Sequence, residues 1–138
     1  MARGDVYLHS AFPFHDGASG KKLFVVLNDP VNDEPYLVIK TTSNLRGKSF
    51  ETGCNPRSRV FFIQGKAGSV FPIDTLLQLS DIYEFSGTEF LKGHMVEKVI
   101  EHKTTLHHET VAQIINCVKK LKEDISIKHF TLITHKTV

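Results

Sequence analysis

The sequence lacks any hydrophobic run that approaches the roughly 18 apolar residues of a membrane span. The residues after Met1 are polar and then strand-like, without the apolar core of a signal peptide. A carboxylate cluster that suggests a metal site is also missing, as are internal repeats and low-complexity segments. These absences argue against a membrane or secreted protein. They predict a cytoplasmic protein that needs no metal ion or other cofactor.

Cysteine is scarce, with Cys54 and Cys117 as its only two occurrences. The two can pair, but without a secretory signal we expect free thiols in a reducing compartment. Histidine is more abundant, at 8 residues, yet only His107 and His108 are close together. Adjacent side chains on a helix point in different directions, so the sequence predicts no zinc site.

Composition and length suit one globular domain, with 138 residues, 41% hydrophobic and 23% charged. The net charge of +2 is unevenly distributed. Residues 40–66 carry six basic groups against one acid, which gives +5, and residues 74–101 carry six acids against two lysines, which gives −4. This asymmetry indicates an anionic partner on one face, although a solvated basic loop explains it about as well.

Short segments rich in β-branched and aromatic residues, separated by turn residues, predict a mainly β structure. The predicted strands are residues 5–8, 23–27, 36–39, 60–63, about 69–73, and 96–100, and a helical turn fits the last of these segments as well. Residues 76–85 fit either a strand or a bend. Residues 125–138 are predicted to form short β-like segments, either an edge strand or a partly ordered tail.

One clear helix is predicted near the C-terminus, over about residues 107–122. Val111, Ile114, Ile115, Val118 and Leu121 recur at helical spacing and form a single apolar stripe. Such a stripe is typical of a helix that packs against a sheet. With the strands, it predicts a small, strongly bent β-barrel or two-sheet fold with a helical cover.

Four segments resemble the PemK/MazF-like toxins of bacterial toxin–antitoxin systems. Residues 3–8 are similar to the family's opening strand, and residues 23–29, after a glycine-containing loop, to its next strand. Residues 39–43 resemble the strand that ends in Thr-Ser, and residues 69–74 the later strand that closes in an acidic residue. The order holds from residue 3 to about 121. The resemblance implies a single domain with an SH3-like barrel of about five to seven strands, and residues 125–138 as an extension.

The resemblance also implies a function. These toxins inhibit growth as homodimers that cleave single-stranded RNA such as mRNA without a metal, and an antitoxin protein inhibits them. Matched by position, the family assigns the catalytic residues to His15, Lys21, Thr42 and Asp74. The residues expected to contact RNA are Lys22, Ser43, Arg46, Lys48, Arg57 and Arg59. Lys21 stands where the family has an arginine. Pro72 stands where some members have a second arginine.

The chemistry of these residue types suits cleavage of RNA by its own 2′-hydroxyl group. That reaction needs a base for the hydroxyl proton, an acid for the leaving 5′-oxygen, and donors for the phosphorane. Histidine suits either proton role near neutral pH, so His15 is the first candidate. Asp74 suits the role of base or orients a cation. Lys21 and Lys22 supply positive charge without the planar fork of arginine.

Two other classes of function remain open. A toxin that binds a protein without catalysis, like the CcdB-type inhibitors of DNA gyrase, agrees with the missing arginines. A barrel that has lost its activity and only binds RNA or protein is the third possibility. His15, Asp74 and the basic segment 40–66 favour RNA cleavage.

Overall fold

A computed structural model describes residues 2–135, which form one antiparallel sheet flanked by helices. The strands are β1 (Asp5–Pro13), β2 (Ser19–Val26), β3 (Tyr36–Thr42), β4 (Gly53–Asn55), β5 (Val60–Ile63), β6 (Thr75–Phe85) and β7 (Ile100–Thr105). The α-helices are α1 (Gly87–Leu91), α2 (His108–Lys120) and α3 (Ile127–Thr134). A π-helical turn, Lys92–Val96, continues α1, and 3-10 turns lie at Pro56–Ser58 and Lys122–Asp124.

The strand order across the sheet is β4-β5-β6-β3-β2-β1-β7. Strands β1, β2 and β3 are neighbours, while β6 returns beside β3 and β7 beside β1. Within residues 2–135, β4 and β7 are free edges, so the sheet is not closed and is barrel-like at most. The predicted mainly β fold with a helical cover is confirmed.

Strand alternation gives the sheet two different apolar faces. One face is aliphatic and lies under α2 and α3, where Ile39 packs in the same cluster as Ile114 and Ile133. The other face is aromatic and is covered by α1. Its buried rings include Phe12, Phe24, Tyr83, Phe85 and Phe90. We call this second side of the sheet the aromatic face.

The predicted C-terminal helix is confirmed as α2. Ile114 and Val118 are fully buried, while Val111 and Ile115 are partly buried at the edge of the same stripe. Cys117, on the buried side of α2, forms a disulfide with Cys54 on β4. The expectation of free thiols is therefore wrong. The sequence alone does not show that the two cysteines lie close together, because they are 63 residues apart in the chain.

Residues 127–134 form helix α3, so the prediction of β-like segments there is wrong. Ser126 begins the helix by accepting a hydrogen bond from the His129 amide at 3.2 Å. The segment is rich in isoleucine and threonine, which favour strands, but burial of Ile133 against the aliphatic face overrides that preference. Residues 136–138 of the predicted tail lie outside the described residues.

Three further strand predictions need correction or completion. Residues 69–73 form a loop rather than a strand, and Pro72 within it has no amide proton to give to a sheet. Residues 96–99 are not a strand either, because the π-helical turn reaches Val96 and β7 begins at Ile100. The segment left open at 76–85 is strand, as part of β6. The short strand β4 was not predicted.

Candidate active site

The aromatic face ends in a group of polar side chains. His15 comes from the β1–β2 turn, and neighbouring strands supply the other members, which are Lys22, Lys40, Asp81 and Tyr83. Pairing of Phe24 with Lys40, and of Val38 with Tyr83, aligns the three strands at this end. Together with Phe14 and Asp16, the group lines an open cavity of about 340 Å³.

A bulge in β6 positions Asp81. Ile39 pairs with Ile82 and Thr41 with Leu77, so Lys40 alone faces residues 78–81 of β6. Bulges of this kind bend a strand and change the direction of a side chain. Here the Asp81 Oδ2 lies 3.2 Å from the Lys40 Nζ.

Lys40 is held as a cation by its neighbours. Burial alone would lower the pKa of Lys40, but the hydrogen bond and charge of Asp81, aided by the Tyr83 hydroxyl, outweigh burial and raise it. The Lys40 Nζ also lies 5.0 Å from the centre of the Phe14 ring, a cation–π contact. Lys40 therefore stays charged and fixes Asp81.

His15 is the exposed member of the group, with 61% of its side chain accessible. Its Nε2 lies 3.0 Å from the Asp81 Oδ1, and its ring stacks on Tyr83. Because a carboxylate attracts an N–H group and repels a nitrogen lone pair, this short distance favours the tautomer with its proton on Nε2. In the neutral ring, Nδ1 is then the nitrogen left to accept a proton from a substrate.

Strand alternation separates the two adjacent lysines of β2. Lys22 shares the face of Phe24, lines the cavity, and donates a hydrogen bond from Nζ to the Thr41 carbonyl at 3.2 Å. Lys21 lies on the opposite face and is exposed. The structure therefore brings Lys22 to His15, and it does not bring Lys21 there.

Thr42 ends strand β3 and is not among the residues that line the cavity. Thr42 lies two residues beyond Lys40 on the same face of β3, and its Oγ1 accepts the Asn44 amide at 3.2 Å. Ser43 follows and is exposed. The predicted roles of Thr42 and Ser43 at the site are therefore not supported by a contact with His15 or with the cavity.

Asp74 is not brought to His15. It precedes β6, seven residues before Asp81 and up to about 20 Å away along an extended chain. Its carboxylate accepts the Gly65 amide at 2.8 Å and closes a turn. Asp81 is the carboxylate beside His15. Sequence reasoning missed Asp81 because residues 76–85 were left undecided, although alternation along β6 would place Asp81 and Tyr83 on one face.

The other predicted RNA contacts lie outside the cavity. Arg46 and Lys48 are exposed on the loop between β3 and β4, and Arg57 is exposed at the 3-10 turn after β4. Arg59 is exposed too, but its Nε pairs with the Asp124 Oδ1 at 3.0 Å, after helix α2. The basic segment is therefore split between the cavity, an open loop and the helical layer.

His107, His108 and Glu109 form a possible metal-ligand group, with ligand atoms all within 4.8 Å of one another. His107 precedes α2 as its N-cap, so helical geometry does not separate the two histidines, whose ring centres lie 4.6 Å apart. The argument that adjacent helical residues point apart therefore does not apply to His107 and His108, and as a reason for excluding a metal it is wrong. The donor types suit a divalent transition metal, but all three side chains are exposed and the His107 Nδ1 accepts the Glu109 amide.

No helix within residues 2–135 combines the length and apolar character needed to cross a membrane. Comparison with known proteins assigns this sequence to no family, because no protein-family model and no curated protein matches it.

Proposed function

We propose that this protein is a growth-inhibiting toxin that cleaves single-stranded RNA in the cytoplasm without a metal ion. The observation that carries the proposal is the pair of His15 and Asp81 beside Lys22, at the mouth of an open cavity. A histidine oriented by a carboxylate is a common general base, and a nearby ammonium group complements a phosphate. A homodimer and a cognate antitoxin protein belong to the same proposal.

The first step is attack by the 2′-hydroxyl on the adjacent phosphorus. The Nδ1 of His15 takes the hydroxyl proton, and the O2′–P bond forms. The Asp81 carboxylate, whose Oδ1 lies 3.0 Å from Nε2, stabilises the imidazolium that results through its negative charge. Asp81 is therefore a positioning residue, because it acts on the substrate through His15.

The second step breaks the bond between phosphorus and the 5′-oxygen. Lys22 uses one of its three N–H donors on the Thr41 carbonyl, so the others are free to contact the phosphorane. One of them gives its proton to the leaving 5′-oxygen. The proton that His15 took in the first step then passes through water to Lys22, which restores both groups. The products are a 2′,3′-cyclic phosphate and a 5′-hydroxyl, and no step requires a metal.

A disulfide is uncommon in the cytoplasm, where reductants keep thiols reduced, so the proposed location requires that this bond be shielded. Cys117 has no exposed surface, and thiol exchange requires access to the sulfur that is attacked. The Cys54–Cys117 bond is therefore protected on one side from cellular reductants.

The direct test incubates the purified protein with a single-stranded RNA of mixed sequence, with and without EDTA. We expect cleavage that EDTA does not affect and that leaves cyclic phosphate ends. His15→Ala should reduce the rate by about 10²-fold or more, and Asp81→Asn by about ten-fold. His108→Ala, at an exposed histidine on α2, is the matched control and should cleave normally. Absence of cleavage, or equal cleavage by His15→Ala, would reject the proposal.

A second candidate function is binding of a protein target without catalysis, as in CcdB-type toxins. It is favoured by three exposed apolar side chains on α1 and the π-helical turn, Leu91, Met95 and Val96, which are 48%, 64% and 73% accessible. The same surface suits a homodimer or an antitoxin contact. Light scattering at micromolar concentration tests the dimer. An inert RNA assay together with tight binding to gyrase would favour this second function.

A further inference from the structure

A second cavity, of about 350 Å³, lies between β1 and the segment formed by α1 and the π-helical turn. Its polar lining consists mainly of His9, Glu89, Lys92 and Glu97. Its apolar lining includes Phe85 and Ile100. None of these residues lines the cavity of His15. Any ligand bound here is therefore independent of the proposed RNA cleavage.

The protonation of His9 follows from its backbone contact. A bulge in β1 after His9 leaves the Ala11 amide free of the ladder with β2, and this amide donates to the His9 Nδ1 at 3.1 Å. Burial lowers the pKa of His9, and the Glu97 carboxylate offsets this only in part. The ring is therefore neutral with its proton on Nε2, so His9 offers a ligand one N–H donor.

The carboxylates come from the helical side of the cavity. One oxygen of Glu89 is turned towards the Ser86 amide in the N-terminal capping box of α1, which orients the side chain and leaves its other oxygen available. The π-helical turn ends at Glu97, whose amide donates to the Lys92 carbonyl at 2.9 Å. Such turns are frequent at functional sites. The cavity thus combines two carboxylate acceptors with the ammonium of Lys92.

This mixture of groups selects the chemistry of the ligand. An anion would be repelled by Glu89 and Glu97. A cation would be attracted by these two carboxylates but would leave the N–H groups of His9 and Lys92 without an acceptor. A hydroxyl group both donates to a carboxylate and accepts from an N–H group, without net charge. Apolar walls from Phe85 and Ile100 suit the C–H surface of a ring.

We propose that this cavity binds a neutral sugar ring through a vicinal diol. One hydroxyl accepts from the His9 Nε2–H and donates to Glu97, and its neighbour contacts Glu89 and Lys92. The ring is either that of a free sugar or the ribose of a nucleoside, since the two present the same diol.

The test follows the His9 ring nitrogens and the backbone amides by NMR during titration with methyl β-D-ribofuranoside. We expect saturable shifts at His9 and Glu97 below about 50 mM. The 2-deoxy analogue lacks the diol and should bind more weakly, by roughly three- to ten-fold, because it loses the hydrogen bonds of one hydroxyl to side chains that are exposed to water. Adenosine separates the two sources of the ring: tighter binding than the ribofuranoside indicates a nucleoside, and equal or weaker binding indicates a free sugar.

Variants assign the binding to this cavity. Glu97→Gln should weaken ribofuranoside binding at least roughly ten-fold while the remaining amide spectrum is preserved. Glu101→Gln changes an exposed carboxylate on the neighbouring strand β7 and should have no effect. The proposal is overturned if the ribofuranoside gives no saturable shift, if its 2-deoxy analogue binds equally well, or if butylammonium or acetate binds more tightly.

Discussion

The imidazole ring of His15 lies flat on the phenol ring of Tyr83, with ring centres 3.8 Å apart and 8° between their planes. The Tyr83 hydroxyl also accepts a hydrogen bond from the His15 amide at 3.3 Å. One side chain of β6 thus holds both the ring and the backbone of an exposed turn. The position of the proposed base therefore depends on Tyr83 as much as on Asp81.

Tyr83→Leu should lower the rate of RNA cleavage by about ten-fold, because a poorly positioned base loses part of its advantage. Tyr83→Phe keeps the stacked ring and loses only the hydroxyl contacts, so we expect a smaller loss. The measurement is single-turnover cleavage of a defined RNA oligonucleotide. Wild-type rates for the leucine variant would mean that the stack does not position His15.

The adjacent lysines of β2 provide a matched pair of variants. Lys22→Ala should reduce cleavage by about 10²-fold, since it removes the charge closest to the phosphorane, whereas Lys21→Ala should have little effect on the chemical step. Both variants lose one charge, so a general electrostatic effect on RNA binding appears equally in the two. Equal loss of the cleavage step in both variants would contradict the assignment by strand face.

The disulfide between Cys54 and Cys117 should contribute about 4 kcal/mol to the free energy of unfolding, on the loop-entropy model for a separation of 63 residues. Urea denaturation with and without dithiothreitol measures this contribution. Cys54→Ala, at the less buried partner, should match the reduced wild type and should not respond to the reductant. A reductant-independent midpoint for the wild type, with two titratable thiols, would show that the bond does not form.

Helix α3 is tied to β6 by Glu84, whose oxygens accept from the His129 Nε2 at 2.8 Å and the Lys128 Nζ at 3.0 Å. These hydrogen bonds hold the pKa of Glu84 below its ordinary value of 4.5. Folding therefore favours the ionised carboxylate. The stabilisation is complete above pH 4.5 and is lost as the pH falls through the lower, folded-state pKa.

Glu84→Gln should accordingly lower the free energy of unfolding at pH 7, by less than about 1 kcal/mol because solvent screens this exposed group. The difference from the wild type should shrink as the pH falls below 4.5 and vanish once the pH is below the lowered, folded-state pKa of Glu84. Glu101→Gln, which breaks an exposed pair with Lys103 inside β7, is the control and should cost less. A difference that persists unchanged at acid pH would exclude the carboxylate as its source.

Much of the fold could be predicted from local patterns, because those patterns reflect the environment of each segment. The apolar run at 23–27 enters a central strand, and the stripe from Val111 to Val118 packs as expected. Segments whose structure depends on distant packing could not be predicted. Helix α3 is formed by residues of β-type preference, and its burial depends on strands about ninety residues earlier in the chain.

The candidate site shows the same limit at the level of single residues. His15 and Lys22 could be selected by residue type, and the structure places both at the cavity. The sequence points to Lys21 and Asp74, and the selection of Lys22 and Asp81 instead requires knowledge of strand face and of the bulge in β6. The spacing of motif residues reveals neither the strand face nor the bulge. A bulge changes which side chain faces a neighbouring strand, and the spacing along the sequence does not show this change.

The disulfide encloses β5, β6 and β7 in one covalent ring, whereas β1, β2 and β3 lie outside it yet occupy the sheet positions between β6 and β7. A protease that cuts the exposed turn near Met95 divides the chain between β6 and β7. Both fragments remain bonded through sulfur, and β7 of the C-terminal fragment still pairs with β1 of the N-terminal fragment. The nicked protein therefore keeps its apparent mass on a non-reducing gel and separates into two fragments only after reduction.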